Sequence, residues 1–84
     1  KHTQSPIKHN KDGSYNVPAS LAIRDINRQL GLDLPTDTAK TLAGLITDVL
    51  QDLPTPNTTV DIGAVSITII SVKDNVVTQT KLKF

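Results

Sequence analysis

The sequence has no cysteine, no methionine, no tryptophan and no glutamate, and only one tyrosine and one phenylalanine in 84 residues. Without cysteine there are no disulfides, no thiolate metal sites and no cysteine nucleophile. The redox compartment is left unmarked. Two aromatics, Tyr15 and Phe84, are too few for a platform that stacks nucleobases or a flavin ring. There is no run of ~18 apolar residues that could cross a membrane as a helix. Residues 1–20 hold no apolar stretch of the signal-peptide kind. The formal charge of +1 lacks the basic excess of a nucleic-acid domain, so no nucleic-acid partner is expected. No internal repeat or low-complexity segment occurs. A chain that starts at Lys1 and holds no methionine reads as a piece of a longer protein.

What remains is aliphatic, and the core must come from Leu, Ile, Val and Ala. Eighty-four residues suit one domain that buries ~60–65% of its unfolded surface. Residues 1–5 are polar and read as a disordered tail or linker, with no role for His2. Residues 6–84 read as the domain. Around Asp12-Gly13 a β-hairpin is expected. A two-residue loop would set Tyr15 and Val17 on the opposite side from Ile7. A three-residue loop, Lys11 to Gly13, pairs His9 with Tyr15 and gathers the apolar groups on one face. It requires a left-handed residue, which Gly13 supplies without steric cost.

The middle of the chain, Leu21 to Leu53, reads as two amphipathic helices. Ser20 is the expected N-cap of the first, Ile23, Ile26 and Leu30 its buried stripe, and Gly31 its left-handed terminator. Thr36 or Asp37 is expected to cap the second. Ala39, Leu42, Ala43, Ile46, Val49, Leu50 and Leu53 form its apolar face, and Pro54 and Pro56 stop it. Lys40, Gly44, Asp48 and Gln51 fall on the wet side.

Residues 58–84 read as three strands. Val60 and Ile62 alternate with Thr59 and Asp61, and Gly63-Ala64 turns the chain. In VSITIISV, Val65, Ile67 and Ile69 share one face, whereas Ile70 and Val72 share the other, which calls for a bulge. After the turn at Lys73-Asp74-Asn75, the last strand puts Val76, Thr78, Thr80, Leu82 and Phe84 on one side. Val77, Gln79, Lys81 and Lys83 lie on the other. The fold class is therefore α+β: a mainly antiparallel five-stranded sheet, in the order β-β-α-α-β-β-β, with two helices packed on one face.

Chemistry-bearing patterns are missing. His2 and His9 have no third ligand near them in sequence, so no metal site is expected, and His9 is expected to pack on Tyr15. The eight aspartates are scattered. No serine sits in a nucleophile elbow and no glycine-rich phosphate loop is present. Catalytic residues are therefore expected to be none. Three residues stand out as candidate contacts. Arg24 and Arg28 lie side by side on the first helix. The simpler reading pairs Arg28 with Asp25, worth ~0.3 kcal/mol. The sharper one is a two-arginine grip on a carboxylate or phosphate. Gly44, inside a helix at a cost of ~1 kcal/mol against Ala, is either a tolerated exposed glycine or a place where a partner's backbone comes close.

The stretch DGSYNVPASLAIRDINRQLGLDLP, followed by TAKTLAGLITDVLQDLP, resembles the transporter-associated domain of the CorC/HlyC family. The likeness rests on Asp12-Gly13-Ser14, Ile23 to Asn27, Leu30-Gly31-Leu32, Leu34-Pro35, Thr41 to Gly44, Leu53-Pro54 and the Asp74-Asn75 turn. It covers residues 12–84. One departure is Asn57, where the family usually has Gly. Asn is the non-glycine residue best suited to left-handed φ, so that turn is expected to survive. The resemblance implies a cytoplasmic C-terminal domain of an inner or plasma membrane protein linked to magnesium and cobalt efflux, some members being called hemolysins. The implied role is regulatory and non-catalytic, modulating ion transport, with no cofactor. The implied partners are the CBS and membrane domains of the same transporter, or a second copy in a homodimer. The family's fold is similar to a FAD-binding type, so the alternative is a domain binding a small ligand or nucleotide (FAD or an adenine nucleotide). Direct metal binding through Asp side chains ranks behind both.

Overall fold

Gly13 decides the first turn. In the computed structural model, which describes residues 6–84, Gly13 sits at φ 91°. Strands β1 (Lys8–His9) and β2 (Tyr15–Pro18) pair antiparallel, with His9 opposite Tyr15 and Lys8 opposite Asn16. This is the three-residue loop. Asn10 N donates to Ser14 O at 2.8 Å and Gly13 N to Asn10 O at 3.1 Å. The expected tail 1–5 and His2 lie outside the described residues.

Strands β3 (Thr59–Ile62), β4 (Val65–Lys73) and β5 (Val76–Lys83) complete an antiparallel sheet in the order β1-β2-β5-β4-β3. The last strand in sequence is the central one in space. It pairs directly with β2, from which it is separated in sequence by α1 (Ile23–Leu30), α2 (Leu42–Leu50), β3 and β4. Ile23, Ile26, Leu42, Leu45 and Ile46 from the helices bury against Val17, Val60, Val65, Ile67, Ile69, Val77 and Leu82 of the sheet. The opposite sheet face is polar. Thr59 and Thr68 hydroxyls meet at 2.9 Å across β3 and β4, and Ser66 Oγ donates to Asp61 at 2.7 Å. Turns of the C-terminal half use left-handed residues, as expected at Asn57. Asp74 and Asn75 have φ 53° and 66°, the pattern of a two-residue hairpin turn. Asn57 has φ 70°.

The anticipated bulge in β4 is present but it is double. Ile69 pairs with Thr80, Ser71 with Gln79, and Val72 with Val77, so Ile70 is extra on β4 and Thr78 extra on β5. The two insertions cancel. Ser71 and Thr78 hydroxyls pin the site at 2.7 Å, and Thr78 Oγ1 donates to Ser71 O at 3.1 Å. The second insertion corrects the face assignment of β5. Val77 is buried beside Thr80 and Leu82, whereas Val76 faces out. A strict period of two cannot survive an extra residue.

The helix entrances also differ from the sequence reading. Ser20 does not cap α1. Ala22 occupies the N-cap with no side-chain bond, and Ile23 N donates to Lys40 O at 2.8 Å. In return, Leu42 N donates to Leu21 O at 3.1 Å and Ala43 N to Ala19 O at 2.9 Å. Ala22 and Thr41 form an isolated antiparallel bridge. Each helix start thus supplies backbone acceptors for the other's orphan N–H groups. Because Lys40 and Thr41 are held extended by this bridge, α2 cannot begin at Thr36 or Asp37. Its N-cap is Thr41, whose Oγ1 accepts from Gly44 N at 3.3 Å. The helix also ends early, at left-handed Gln51, because Leu53 precedes Pro54 and is biased away from α geometry. Leu53 (63% exposed), past the helix end, therefore lies outside the core. Val49 (41%) is within the helix but on its exposed side, and Leu45 is buried instead.

Candidate functional site

Between the helices, residues 32–40 form a link without regular structure. Gly31, at φ 66°, ends α1 as expected, and Leu32 N donates back to Asn27 O at 3.0 Å. Asn27 then clamps the link with its side chain. Its Oδ1 accepts from Leu34 N at 2.9 Å and its Nδ2 donates to Leu34 O at 3.0 Å. Asn27 has the same two-sided bonding as a peptide group, so it satisfies both backbone groups of buried Leu34. The composition pattern gave no sign of this.

The three candidate contact residues fall in different settings. Arg28 Nη2 donates to Asp25 Oδ1 at 2.5 Å, the local i,i+3 pair, on a side chain 75% exposed. Arg24 has no ion-pair partner among the described residues. It borders a groove of about 400 Å³ with Ala22, Thr36, Ala39 and Lys40. The helical period puts Lys40 on the wet side of a helix. Instead, the bond from Ile23 N to the Lys40 carbonyl sets it beside the start of α1. Gly44 is half-buried. A Cβ there would stand 3.1 Å from Ala39 Cβ and 3.5 Å from Thr41 Oγ1. The close approach is therefore made by the chain's own link.

Two further features lie at the far end of the sheet. His9, Tyr15 and Phe84 stack in a row, with centroids 4.4 and 5.4 Å apart. The His9–Tyr15 contact is the one expected. Nearby, a groove of about 590 Å³ runs between the link, from Gly31 to Pro35, and the β3–β4 turn, from Ile62 to Val65, with Phe84 at its rim.

Among the titratable groups, Asp12 is clearly perturbed. Its Oδ1 accepts from Ser14 Oγ at 2.6 Å and from Ser14 N at 3.0 Å, and Lys81 Nζ stands 3.5 Å from Oδ2. The Ser14 hydrogen bonds, with help from Lys81, hold the carboxyl at about 2. This is a turn stabiliser and not a proton donor near neutrality. Among the described residues no group of three or more His or Asp side chains could hold a metal ion. No helix among them is long and apolar enough to cross a membrane.

Comparison with known proteins gives a consistent result. The family model described as the transporter associated domain, CorC_HlyC, matches residues 8–84. The chain is 37% identical over 71 residues to the UPF0053 inner membrane protein YfjD of Escherichia coli, covering 84% of this chain but 17% of that protein. A crystal structure of a conserved protein of unknown function from Haemophilus influenzae superposes with a TM-score of 0.88 at 34% identity, covering 94% of this chain and 98% of that one. A region associated with a putative Mg2+ and Co2+ transporter (CorC) of Neisseria meningitidis superposes with a TM-score of 0.85 at 23% identity, over 94% and 98% of the two chains.

Proposed function

This chain belongs to the CorC_HlyC transporter associated domain family, and from that premise we propose that it is a non-catalytic regulatory module of a larger membrane ion transporter, working by contact with its neighbours. The carrying observation is proportion. The chain spans 17% of the length of the inner membrane relative that it matches over nearly its whole extent. A small part of a longer protein, with Asp12, Asp25 and Asp61 engaged in a turn and local pairs, is suited to docking. The Neisseria relative's connection with magnesium and cobalt transport supports those ions as the cargo of the parent protein, and the proposal places the domain on the cytoplasmic side of the membrane. Its partners would be the other domains of the same transporter, or a second copy.

The test is deletion of residues 8–84 from the full-length parent, with magnesium and cobalt efflux measured from loaded cells. Altered transport or altered response to metal load is the expected result. Efflux and regulation identical to the intact protein, at equal membrane abundance, would overturn the proposal.

A further inference from the structure

The groove at the helix entrances has a composition that the transporter reading does not use. Its lining is Ala22, Arg24, Thr36, Ala39 and Lys40. Two cations, one hydroxyl and two methyl groups face a volume of about 400 Å³. None of these residues is acidic. Arg24 and Lys40 make no ion pair and Thr36 Oγ1 no hydrogen bond among the described residues. Arg28, by contrast, is spent on Asp25. The two cations are not brought together by chance flexibility of the chain. The bridge between Ala22 and Thr41, with the bond from Ile23 N to Lys40 O, fixes their backbones in neighbouring positions. Both side chains line one groove, so an anion there would meet two positive charges and no negative one.

We propose that this groove binds a phosphate group, held by Arg24, Lys40 and Thr36. Two positive charges match a phosphate monoester dianion better than a single carboxylate. Donors of three kinds from two chain segments suit a tetrahedral acceptor, and the Arg24 guanidinium can engage two of its oxygens at once. The groove has no aromatic in its lining, so it recognises the phosphate and not a base. Free phosphate and the phosphate of a nucleotide are therefore expected to bind alike. The site belongs to the domain itself and stands or falls independently of the transporter reading.

The test is a titration of the isotopically labelled chain, followed through its backbone amide and Arg side-chain NMR signals. The probes are inorganic phosphate, AMP and adenosine. Phosphate and AMP are expected to shift the signals of Arg24, Thr36, Ala39 and Lys40 with similar midpoints, on the order of 1 mM, while adenosine shifts none of them. Arg24→Gln combined with Lys40→Gln is expected to weaken binding at least about tenfold, the loss of one charge-assisted hydrogen bond or more. Both residues are exposed, so the variant keeps its fold, which its remaining spectrum checks. Arg28→Gln is expected to leave the midpoint unchanged. No shift at these four residues by about 20 mM phosphate, or shifts that persist undiminished in the double variant, would overturn the assignment. A response to AMP and adenosine but not to phosphate would overturn it too, because the base would then be the recognised part.

Discussion

Removing the Asn27 side chain tests whether the inter-helix link is held by hydrogen bonding or by burial. In Asn27→Ala both bonds to Leu34, at 2.9 and 3.0 Å, are lost. Leu34 is 3% exposed, so its N–H and C=O are left with poor access to water. A stranded buried polar group costs about 1–3 kcal/mol. Partial rescue by solvent puts the pair at about 2–4 kcal/mol. A domain of this size has a total stability of about 4–12 kcal/mol, so the loss is a large share. It corresponds to a fall in Tm of roughly 10–25 °C. The assay is thermal and urea unfolding followed by circular dichroism. Asn27→Asp is the informative companion. Its carboxylate still accepts from Leu34 N but offers no proton to Leu34 O, so it should fall between the wild type and Asn27→Ala. If Asn27→Ala unfolds within about 0.5 kcal/mol of the wild type, Leu34 packing alone holds the link and the clamp contributes nothing.

Other substitutions probe the remaining features. Gly44→Ala would ordinarily stabilise a helix interior by ~1 kcal/mol, but here the new methyl meets Ala39 Cβ at 3.1 Å. The neighbouring Lys40 carbonyl is tied to Ile23, so Ala39 cannot easily retreat. The expected result is no gain or a loss in Tm, and a full ~1 kcal/mol gain would show that Ala39 yields freely. Asp12 supplies the pH dependence. Its folded pKa of about 2 lies below the ordinary 3.8, so its contribution is fully present above the unfolded value. It is lost as pH falls through the folded one. Asp12→Asn is therefore expected to be less stable than the wild type at neutral pH, the difference shrinking from about pH 4 and lost only as pH falls below about 2. Urea midpoints at neutral and acid pH read this directly, and a difference that persists unchanged at the acid end would remove Asp12 as its cause.

The candidate site shows where sequence reading reaches its limit. The helix period sets Arg24 beside Arg28, which leaves open either a two-arginine grip or the simpler pairing of Arg28 with Asp25. The simpler pairing holds, Arg28 going to Asp25, and the tertiary bridge gives Arg24 a neighbour in Lys40, which the sequence did not show. No periodicity links those two residues, because the contact passes through backbone hydrogen bonds between segments distant in sequence. The sequence pattern puts Lys40 on a helix for the same reason. Leu42, Ala43 and Ile46 continue a helical period backwards to Ala39, and nothing in the pattern marks that the backbone at Lys40 and Thr41 is already committed to another segment. Gly44 likewise looked like a free surface position until Ala39 proved to be packed against it.

The amino-acid sequence determined the parts that depend on neighbouring residues. These are the three-residue hairpin loop at Gly13, the left-handed ends at Gly31, Asn57 and Asn75, and the β-branched strands of the C-terminal half. It also determined the α+β class with helices on one face of an antiparallel sheet. Each follows from steric freedom at one residue or from a period of apolar side chains, and both are written in the chain itself. Only the tertiary structure decided where the helices begin, which face Val77 takes after the paired bulges, what Asn27 holds, and that Arg24 and Lys40 share a groove. Those choices rest on backbone hydrogen bonds between distant segments. Every residue carries the same N–H and C=O, apart from proline's missing donor, so side-chain patterns leave the partners unspecified until the fold closes.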